Sequence, residues 1–465
     1  MIDLVFLAFI AAVLVLGLRR PFLWVLLYVY IDVLSPQRIG YGIIQSVPVS
    51  LIAFVAAFAG WLVLDNKAGA RFTYRQGLLL ALLLYCWWSM GHAAYPEEAQ
   101  VKWDWVWKAL VFALFLPLTI TTRLRFEALA LTMVLSAAAI VIGAGIKTAT
   151  GGGGYGSLYL LVNDNSGIYE SSTLATVAIA VIPLALWLAK HGTIFPPDWR
   201  VKLFTAALVF ACLLVPVGTE ARTGLICIAV LGVLSLRDAK RRFTYLAVAG
   251  LLGAAALPFL PASYYERMAT ITQPSGDASA STRVAVWEWT IDYAAEHPFG
   301  GGFDAYRANS FEYDMPVTRG EGNTVSVQTE QVVDKARAYH SAVFEMLGEQ
   351  GYPGLALWLF LHFSGVWQME RLRRRWRGRV GPREDWQAPL ATALQYAQVI
   401  YLVGSLFQGI AYQPFILMLV GMQCALWSYC RLTDSQGAKP RRGRPAPDAP
   451  ERASDAVTAG RPALR

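Results

Sequence analysis

Long apolar stretches separated by short polar loops dominate the chain. We delimit thirteen apolar blocks, several of them shorter than the roughly 20 residues that a transmembrane helix needs. They are Ile2–Leu18, Pro21–Leu34, Val47–Leu64, Gly77–Met90, Trp105–Ile120, Ala128–Ile146, Ser172–Ala189, Leu203–Gly218, Thr223–Leu236, Phe243–Leu260, Tyr352–Trp367, Ala388–Ile410 and Pro414–Trp427. The pattern predicts an all-α integral membrane protein with about 12 transmembrane helices, or 13 if the first two blocks both cross.

The composition agrees with this pattern. The chain is 56% hydrophobic and only 15% charged, whereas soluble domains are about 45–50% apolar and about 25% charged. All five cysteines lie in or at the ends of apolar blocks, without CxxC spacing. We therefore expect neither disulfides nor a thiolate metal site.

The distribution of positive charge predicts the orientation of the chain. If the loop at Arg19 is cytoplasmic, alternation places most of the 40 lysines and arginines in cytoplasmic loops and in the C-terminal tail, as the positive-inside rule requires. The chain then divides into N-terminal transmembrane helices (1–260), a large, partly helical periplasmic loop (261–351), C-terminal transmembrane helices (352–431) and a disordered cytoplasmic tail (432–465).

Arg222 lies in the short polar connection TEAR between two apolar blocks. A single helix over both blocks would be about 50 Å long, more than the ~30 Å hydrocarbon core, so we predict a helical hairpin with Arg222 at its outer turn. A charge between apolar walls suggests a functional site. Contact with lipid headgroups, or pairing with Glu220, is an equally good interpretation of this arginine.

Arg283 lies in STRVAVWEWTIDYAAEHPFGGGF, whose apolar spacing predicts a helix in the periplasmic loop. Ser281 is a candidate N-cap, and Pro298 followed by glycines would end the helix. Taken alone, this segment is better interpreted as a surface helix with a solvated arginine.

His340 lies in ARAYHSAVFEMLGEQGYPG, just before the eleventh apolar block. We expect it in the first turn of a helix, where the helix dipole favours a neutral imidazole. A neutral imidazole can accept a proton from a hydroxyl group. An isolated histidine here would be interpreted as a structural residue that packs on the next span.

The combination of these groups favours a function. Two arginines and a histidine come from three segments on one side of the membrane, and arginine binds phosphate in a bidentate manner. Lys102 and Lys108, near the outer end of Trp105–Ile120, are weaker candidates for the same phosphates. The sequence has no P-loop, no Asp-x-Asp pair, no histidine cluster and no GxSxG nucleophile signature. We therefore expect no cofactor, no metal and no nucleic-acid partner.

These motifs together resemble the O-antigen ligase and polymerase superfamily of bacterial polytopic glycosyltransferases. The resemblance rests on TEARTG around Arg222, on S-x-R-x-x-x-W leading into HPFGGG, and on AYHS followed by E-x-G-x-x-G. It covers most of the chain and implies a GT-C-type architecture. One position departs from the family pattern: Ala221 stands where a serine is common, which removes a hydroxyl but keeps the arginine.

The resemblance implies a donor, an acceptor and a location. An undecaprenyl-pyrophosphate-linked glycan would be used at the periplasmic face of the bacterial inner membrane, with Arg222 and Arg283 on the pyrophosphate and His340 as base. As an O-antigen ligase, the protein would transfer the polysaccharide to a sugar hydroxyl of lipid A–core, with inversion and without a metal. The loop aromatics Tyr264, Tyr265, Trp287, Trp289 and Tyr306 are candidates for stacking on sugars or for the core of the loop.

Two groups of alternatives remain open. The same residues would serve a polymerase that extends a lipid-linked repeat, or a protein O-oligosaccharyltransferase. A transporter or flippase for lipid-linked sugars belongs to another class, and it is disfavoured because no internal repeat is visible and the candidate groups gather at one face.

Overall fold

The computed structural model describes residues 2–40, 42–150, 167–237, 239–244, 278–319, 326–379 and 385–437, together with 247, 250, 251 and 254. Its N-terminal half contains eleven helices, with bounds as follows: α1 Ile2–Gly17, α2 Phe22–Leu34, α3 Pro36–Ile39, α4 Ile43–Ser46, α5 Val49–Val63, α6 Tyr74–Ser89, α7 Pro96–Thr119, α8 Arg123–Ala149, α9 Ser171–His191, α10 Trp199–Gly218 and α11 Arg222–Leu236.

The C-terminal half adds four helices and one hairpin to the described part of the chain. The helices are α12 Ala278–Glu296, α13 Ala342–Trp376, α14 Gln387–Ser405 and α15 Pro414–Gly437. Strands β1, Ser310–Arg319, and β2, Ser326–Lys335, pair in antiparallel fashion with Ser310 opposite Lys335. The hairpin was not predicted, although Phe311, Tyr313 and Met315 alternate with the polar residues Glu312 and Asp314 in a way that is typical of a strand.

The apolar helices confirm a multi-pass membrane protein. Four described helices are long and apolar enough to cross a bilayer, namely Arg123–Ala149, Ser171–His191, Trp199–Gly218 and Pro414–Ser435. Shorter apolar helices are Ile2–Gly17, Phe22–Leu34, Val49–Val63 and Arg222–Leu236. The number of about 12 crossings and the GT-C-type architecture stay predictions.

Helix α9 forms the centre of the bundle. Its residues from Thr173 to Ala185 are buried without interruption, which explains why it is apolar on every side rather than along one stripe. Helices α8, α10, α11 and α14 surround it. Helices α9 and α11 both begin at the end of the bundle where the chain turns from α10 into α11. The first residues of α9 and of α11 therefore lie at the same surface as the connection between α14 and α15.

Several predictions fall partly outside the described residues. These are most of the Phe243–Leu260 block, the part of the periplasmic loop that includes Tyr264 and Tyr265, and the tail from residue 438 onward. In the described part, α15 continues past the predicted Trp427 boundary as far as Gly437.

Candidate functional site

The hairpin that carries Arg222 forms as the sequence predicts. Helix α10 ends at Gly218, and α11 begins at Arg222 itself. Glu220, in the turn, is buried and has a left-handed φ of 48°. Arg222 is half-buried and lies at the N-terminus of α11. The positive end of the helix dipole at that point disfavours a cation and stabilises a bound anion.

Close packing joins the start of α11 to α9. A Cβ atom on Gly224 would come within 2.9 Å of the Ala175 side chain and 2.6 Å of Pro216. Arg222 precedes Gly224 by two residues, and Ala175 lies just over one turn into α9. Arg222 therefore stands beside the N-terminus of α9, where Glu170 is the cap residue.

His340 lies in the loop before α13, not in the first turn of the helix as predicted. The helix begins at Ala342, and His340 has a left-handed φ of 47°. Gly351 then interrupts α13 with φ 62° and ψ −167°. Residues 342–350 thus form a short separate helix, and His340 is held by a constrained loop rather than by helical geometry.

Arg283 and His340 are close enough for their charges to interact. Partial desolvation of the ring, followed by the charge of Arg283, lowers the pKa of His340 below 6.5, while Glu170 acts in the opposite direction. The residue nevertheless remains exposed at the surface. A lowered pKa keeps the imidazole neutral at physiological pH, the form that accepts a proton.

Trp287 fixes α12 against the His340 segment. Its indole N–H donates to the carbonyl of Tyr339 at 2.9 Å, and its ring stacks on Phe344 with centroids 5.0 Å apart and planes 7° apart. Arg283 lies four residues before Trp287, on the same helix face. The helix begins at Ala278, before Ser281, so Ser281 lies within α12 and is not its N-cap.

The glycine motifs of the two segments contact each other through their backbones. Gly301 N–H donates to the Gly348 carbonyl at 3.0 Å, and Gly302 N–H donates to the Glu349 carbonyl at 2.9 Å. A Cβ on Gly300 would lie 2.5 Å from the nitrogen of Gly351, and one on Gly351 would lie 2.5 Å from the nitrogen of Gly300. HPFGGG and E-x-G-x-x-G are therefore two halves of one backbone clamp beneath the His340 loop.

Glu170 and Gln408 belong to a polar network that we did not predict. Oε2 of Glu170 accepts from the backbone N–H of Thr173 at 2.6 Å. The Thr173 hydroxyl lies 2.8 Å from Gln408 Oε1, and Gln408 donates to the Thr176 hydroxyl at 3.0 Å. The cap pattern at the start of α9 was visible in the sequence, but Gln408 is distant in the chain and carried no signal.

Lys102 is surrounded by carboxylates. Its ammonium group lies 2.7 Å from Glu345 Oε1, 2.6 Å from Glu349 Oε1 and 3.7 Å from Asp304 Oδ1. Burial alone would lower the pKa of Lys102, but the attraction of Glu345 and Glu349 prevails and raises it. Lys108 has a different environment, since its charge acts on Asp32 of α2.

The described loop aromatics pack on one another. Trp289 stacks on Tyr293 with centroids 4.8 Å apart, and Tyr306 makes an edge contact with Tyr339 at 5.6 Å. These contacts favour the interpretation that the rings form the core of the loop over the interpretation that they stack on sugars. Within the described part of the chain, no group of three or more His, Cys, Asp or Glu side chains could hold a metal ion.

Comparisons with known families divide the chain into two parts. Residues 1–193 match a family of unknown function, DUF5935, and residues 206–359 match a family described as O-Antigen ligase. A comparison with curated proteins gives no significant match. Lys102 and Lys108 lie in the first part. Residues 206–359, which contain Arg222, Arg283 and His340, match the O-antigen ligase family, so the resemblance indicated by the sequence motifs is confirmed for this part of the chain.

Proposed function

We propose that this protein is an O-antigen ligase. It would transfer a polysaccharide from undecaprenyl pyrophosphate to a sugar hydroxyl of lipid A–core, at the periplasmic face of the bacterial inner membrane, with its C-terminus in the cytoplasm. The observation that carries the proposal is the placement of an exposed His340 beside the helix that bears Arg283, which Trp287 fixes to the residue before the histidine, inside a segment that matches the O-antigen ligase family.

His340 is the proposed general base. Its imidazole takes the proton of the acceptor hydroxyl as the oxygen attacks the anomeric carbon of the donor. A bond forms between that oxygen and the carbon, and the bond from the carbon to the pyrophosphate oxygen breaks. The bonding electron pair leaves with undecaprenyl pyrophosphate. One displacement inverts the configuration at the anomeric carbon.

Arg222 and Arg283 are the proposed ligands of the pyrophosphate. Negative charge develops on the leaving oxygen, and preorganised donors in a partly water-excluded site stabilise such charge strongly. Arg222 is supported by its place at the N-terminus of α11, where backbone N–H groups also favour an anion. Arg283 is supported by its position on the same face of α12 as Trp287, which anchors that helix beside His340.

We no longer propose Lys102 as a phosphate ligand. An ammonium group whose contacts are with the carboxyl groups of Glu345, Glu349 and Asp304 is a poor phosphate ligand, because those carboxyl groups would repel a second anion. Lys108 stays a weaker candidate, because its interaction with Asp32 also balances part of its charge.

The test is an in vitro transfer reaction in EDTA with purified protein, undecaprenyl-pyrophosphate glycan and lipid A–core. Wild type should transfer the glycan, and His340→Ala should lose activity by at least about a hundredfold, the usual contribution of a general base. His92→Ala is the matched control, since His92 is also exposed and packs beside Trp88 at the end of α6. Full activity of a folded His340→Ala protein would eliminate His340 as the base.

Two alternative functions differ from the proposed one only in the acceptor. A polymerase or a protein O-oligosaccharyltransferase would use the same donor and the same three residues. Replacing lipid A–core by a second lipid-linked repeat, or by a serine-containing peptide, separates these cases in one assay. A flippase would move the donor between leaflets of a vesicle without consuming it, and it would not depend on His340.

A further inference from the structure

Helices α13 and α15 end together in a cluster of basic side chains. A cavity of about 230 Å³ opens between them and is lined by Arg371, Leu372, Arg375, Trp427, Arg431 and Asp434. This is the end of the bundle opposite to His340, since α13 runs from His340 to these residues. Neither the transfer reaction nor the polar network at the outer surface uses this cavity.

The walls of this cavity carry an excess of positive charge. Asp434 is the acidic residue in its lining, and its carboxylate is already shared by Arg375 at 2.9 Å and Arg379 at 3.2 Å. Arg371 and Arg431 add two more guanidinium groups, both on exposed residues. The planar fork of arginine matches the oxygens of a phosphate group, so the chemistry of the cavity suits a phosphate-bearing ligand.

The apolar part of the cavity places it at the boundary of the membrane. Trp427 ends the last apolar block and stands one turn before Arg431 on α15, and tryptophan is typical of the membrane–water interface. On α13, Arg371 lies over the ring of Trp367 at 5.3 Å. Phe363 and Trp367 are 64% and 55% exposed on the same helix, as expected for side chains that face acyl chains.

We propose that this cavity binds the phosphodiester headgroup of an anionic glycerophospholipid. The arginines would hold the phosphate, Trp427 would contact the glycerol region, and the acyl chains would run along the apolar side of α13. Basic pockets between transmembrane helices have this selectivity because the negative headgroup lies within reach of several fixed cations. A soluble phosphate would lack the apolar contacts.

The experiment measures lipid binding to the whole protein by native mass spectrometry. Protein stripped of lipid in a neutral detergent is titrated with phosphatidylglycerol or with phosphatidylcholine of the same chains. Wild type should retain phosphatidylglycerol preferentially. Arg371→Gln with Arg431→Gln should weaken this binding on the order of thirtyfold, since each arginine near an anionic headgroup contributes roughly fivefold.

Two further variants and a competition with inorganic phosphate complete the experiment. Arg19→Gln with Arg20→Gln, which also removes two exposed arginines, should bind as wild type does. Arg371→Lys with Arg431→Lys keeps the charge and should retain most of the preference, which covers the case in which the glutamine variant folds poorly. Equal binding of the two lipids, unchanged binding by the glutamine variant, or full displacement by inorganic phosphate would overturn the proposal.

Discussion

Trp287 lies flat on Phe344, and its indole N–H donates to the carbonyl of Tyr339, the residue before His340. A helix of the large loop is thereby fixed to the loop that holds the proposed base. Because Arg283 is one turn from Trp287, the same contact sets the position of a charge relative to the imidazole. Transfer should therefore depend on a residue that need not touch either substrate.

Trp287→Ala should reduce kcat by about tenfold or more, because it removes both the stacked ring and the hydrogen bond to Tyr339, and small displacements at a reacting centre are costly. Trp287→Phe keeps the stack and should retain more activity. The measurement is the transfer rate at saturating donor. Trp289→Phe, which alters a ring stacked on Tyr293 instead, is the control, and an equal loss in that variant would contradict a specific role for Trp287.

Lys102→Met should lower the free energy of unfolding by about 3–5 kcal/mol, because it leaves buried carboxylates without their cation. The Lys102 side chain is only 13% exposed, so solvent screens little of this loss. Thermal unfolding in detergent measures the effect. Adding Glu349→Gln removes one of the carboxyl groups that Lys102 contacts and should restore part of the stability and activity, a rescue that a direct phosphate ligand would not show.

The acid limb of the pH–rate profile should lie below pH 6.5. The neutral imidazole is the active form, so activity falls as pH drops through the pKa of His340, which is lowered from 6.5 by desolvation and by Arg283. Arg283→Gln removes a charge that opposes protonation, and it should move the limb to higher pH. Glu170→Gln should move it to lower pH. The measurement is the apparent pKa of the acid limb in the pH profile of kcat/KM. This value can be compared between variants whatever activity each of them retains.

Stability should decline as pH rises above about 4.5, the value near which an unfolded glutamate ionises. Burial raises the pKa of Glu349, so the folded protein keeps a proton that the unfolded chain releases, and rising pH favours unfolding until the folded pKa is passed. Glu349→Gln should flatten this decline. Unfolding midpoints from acid to neutral pH test it, and an unchanged slope in the variant would assign the decline to another group.

Gly351→Ala should destabilise the protein by more than about 1 kcal/mol, because alanine is strained at positive φ. The clamp adds to this loss, since a Cβ there would lie 2.3 Å from the Pro298 carbonyl oxygen. Gly143→Ala is the matched control, because nothing lies within 4 Å of its Cβ position, and alanine is the better helix former. The control should be neutral or slightly more stable.

Apolar block length and charge bias by themselves determined that this is a polytopic helical membrane protein. They also determined the hairpin that turns just before Arg222, because a run of apolar residues longer than the bilayer must turn back. The motifs indicated the family that residues 206–359 match, and the residue types predicted phosphate and proton chemistry. These features are local in the chain, so periodicity and spacing are enough to find them.

Only the tertiary structure decided which charged groups contact one another. Lys102 and Glu349 are 247 residues apart, and no pattern in either segment indicates that their side chains contact each other. The constrained loop at His340 and the pairing of HPFGGG with E-x-G-x-x-G likewise depend on backbone contacts between distant segments. Charge balance and close backbone approach are properties of the packed bundle, which is why the sequence could propose Lys102 as a phosphate ligand and only the fold could show its carboxyl neighbours.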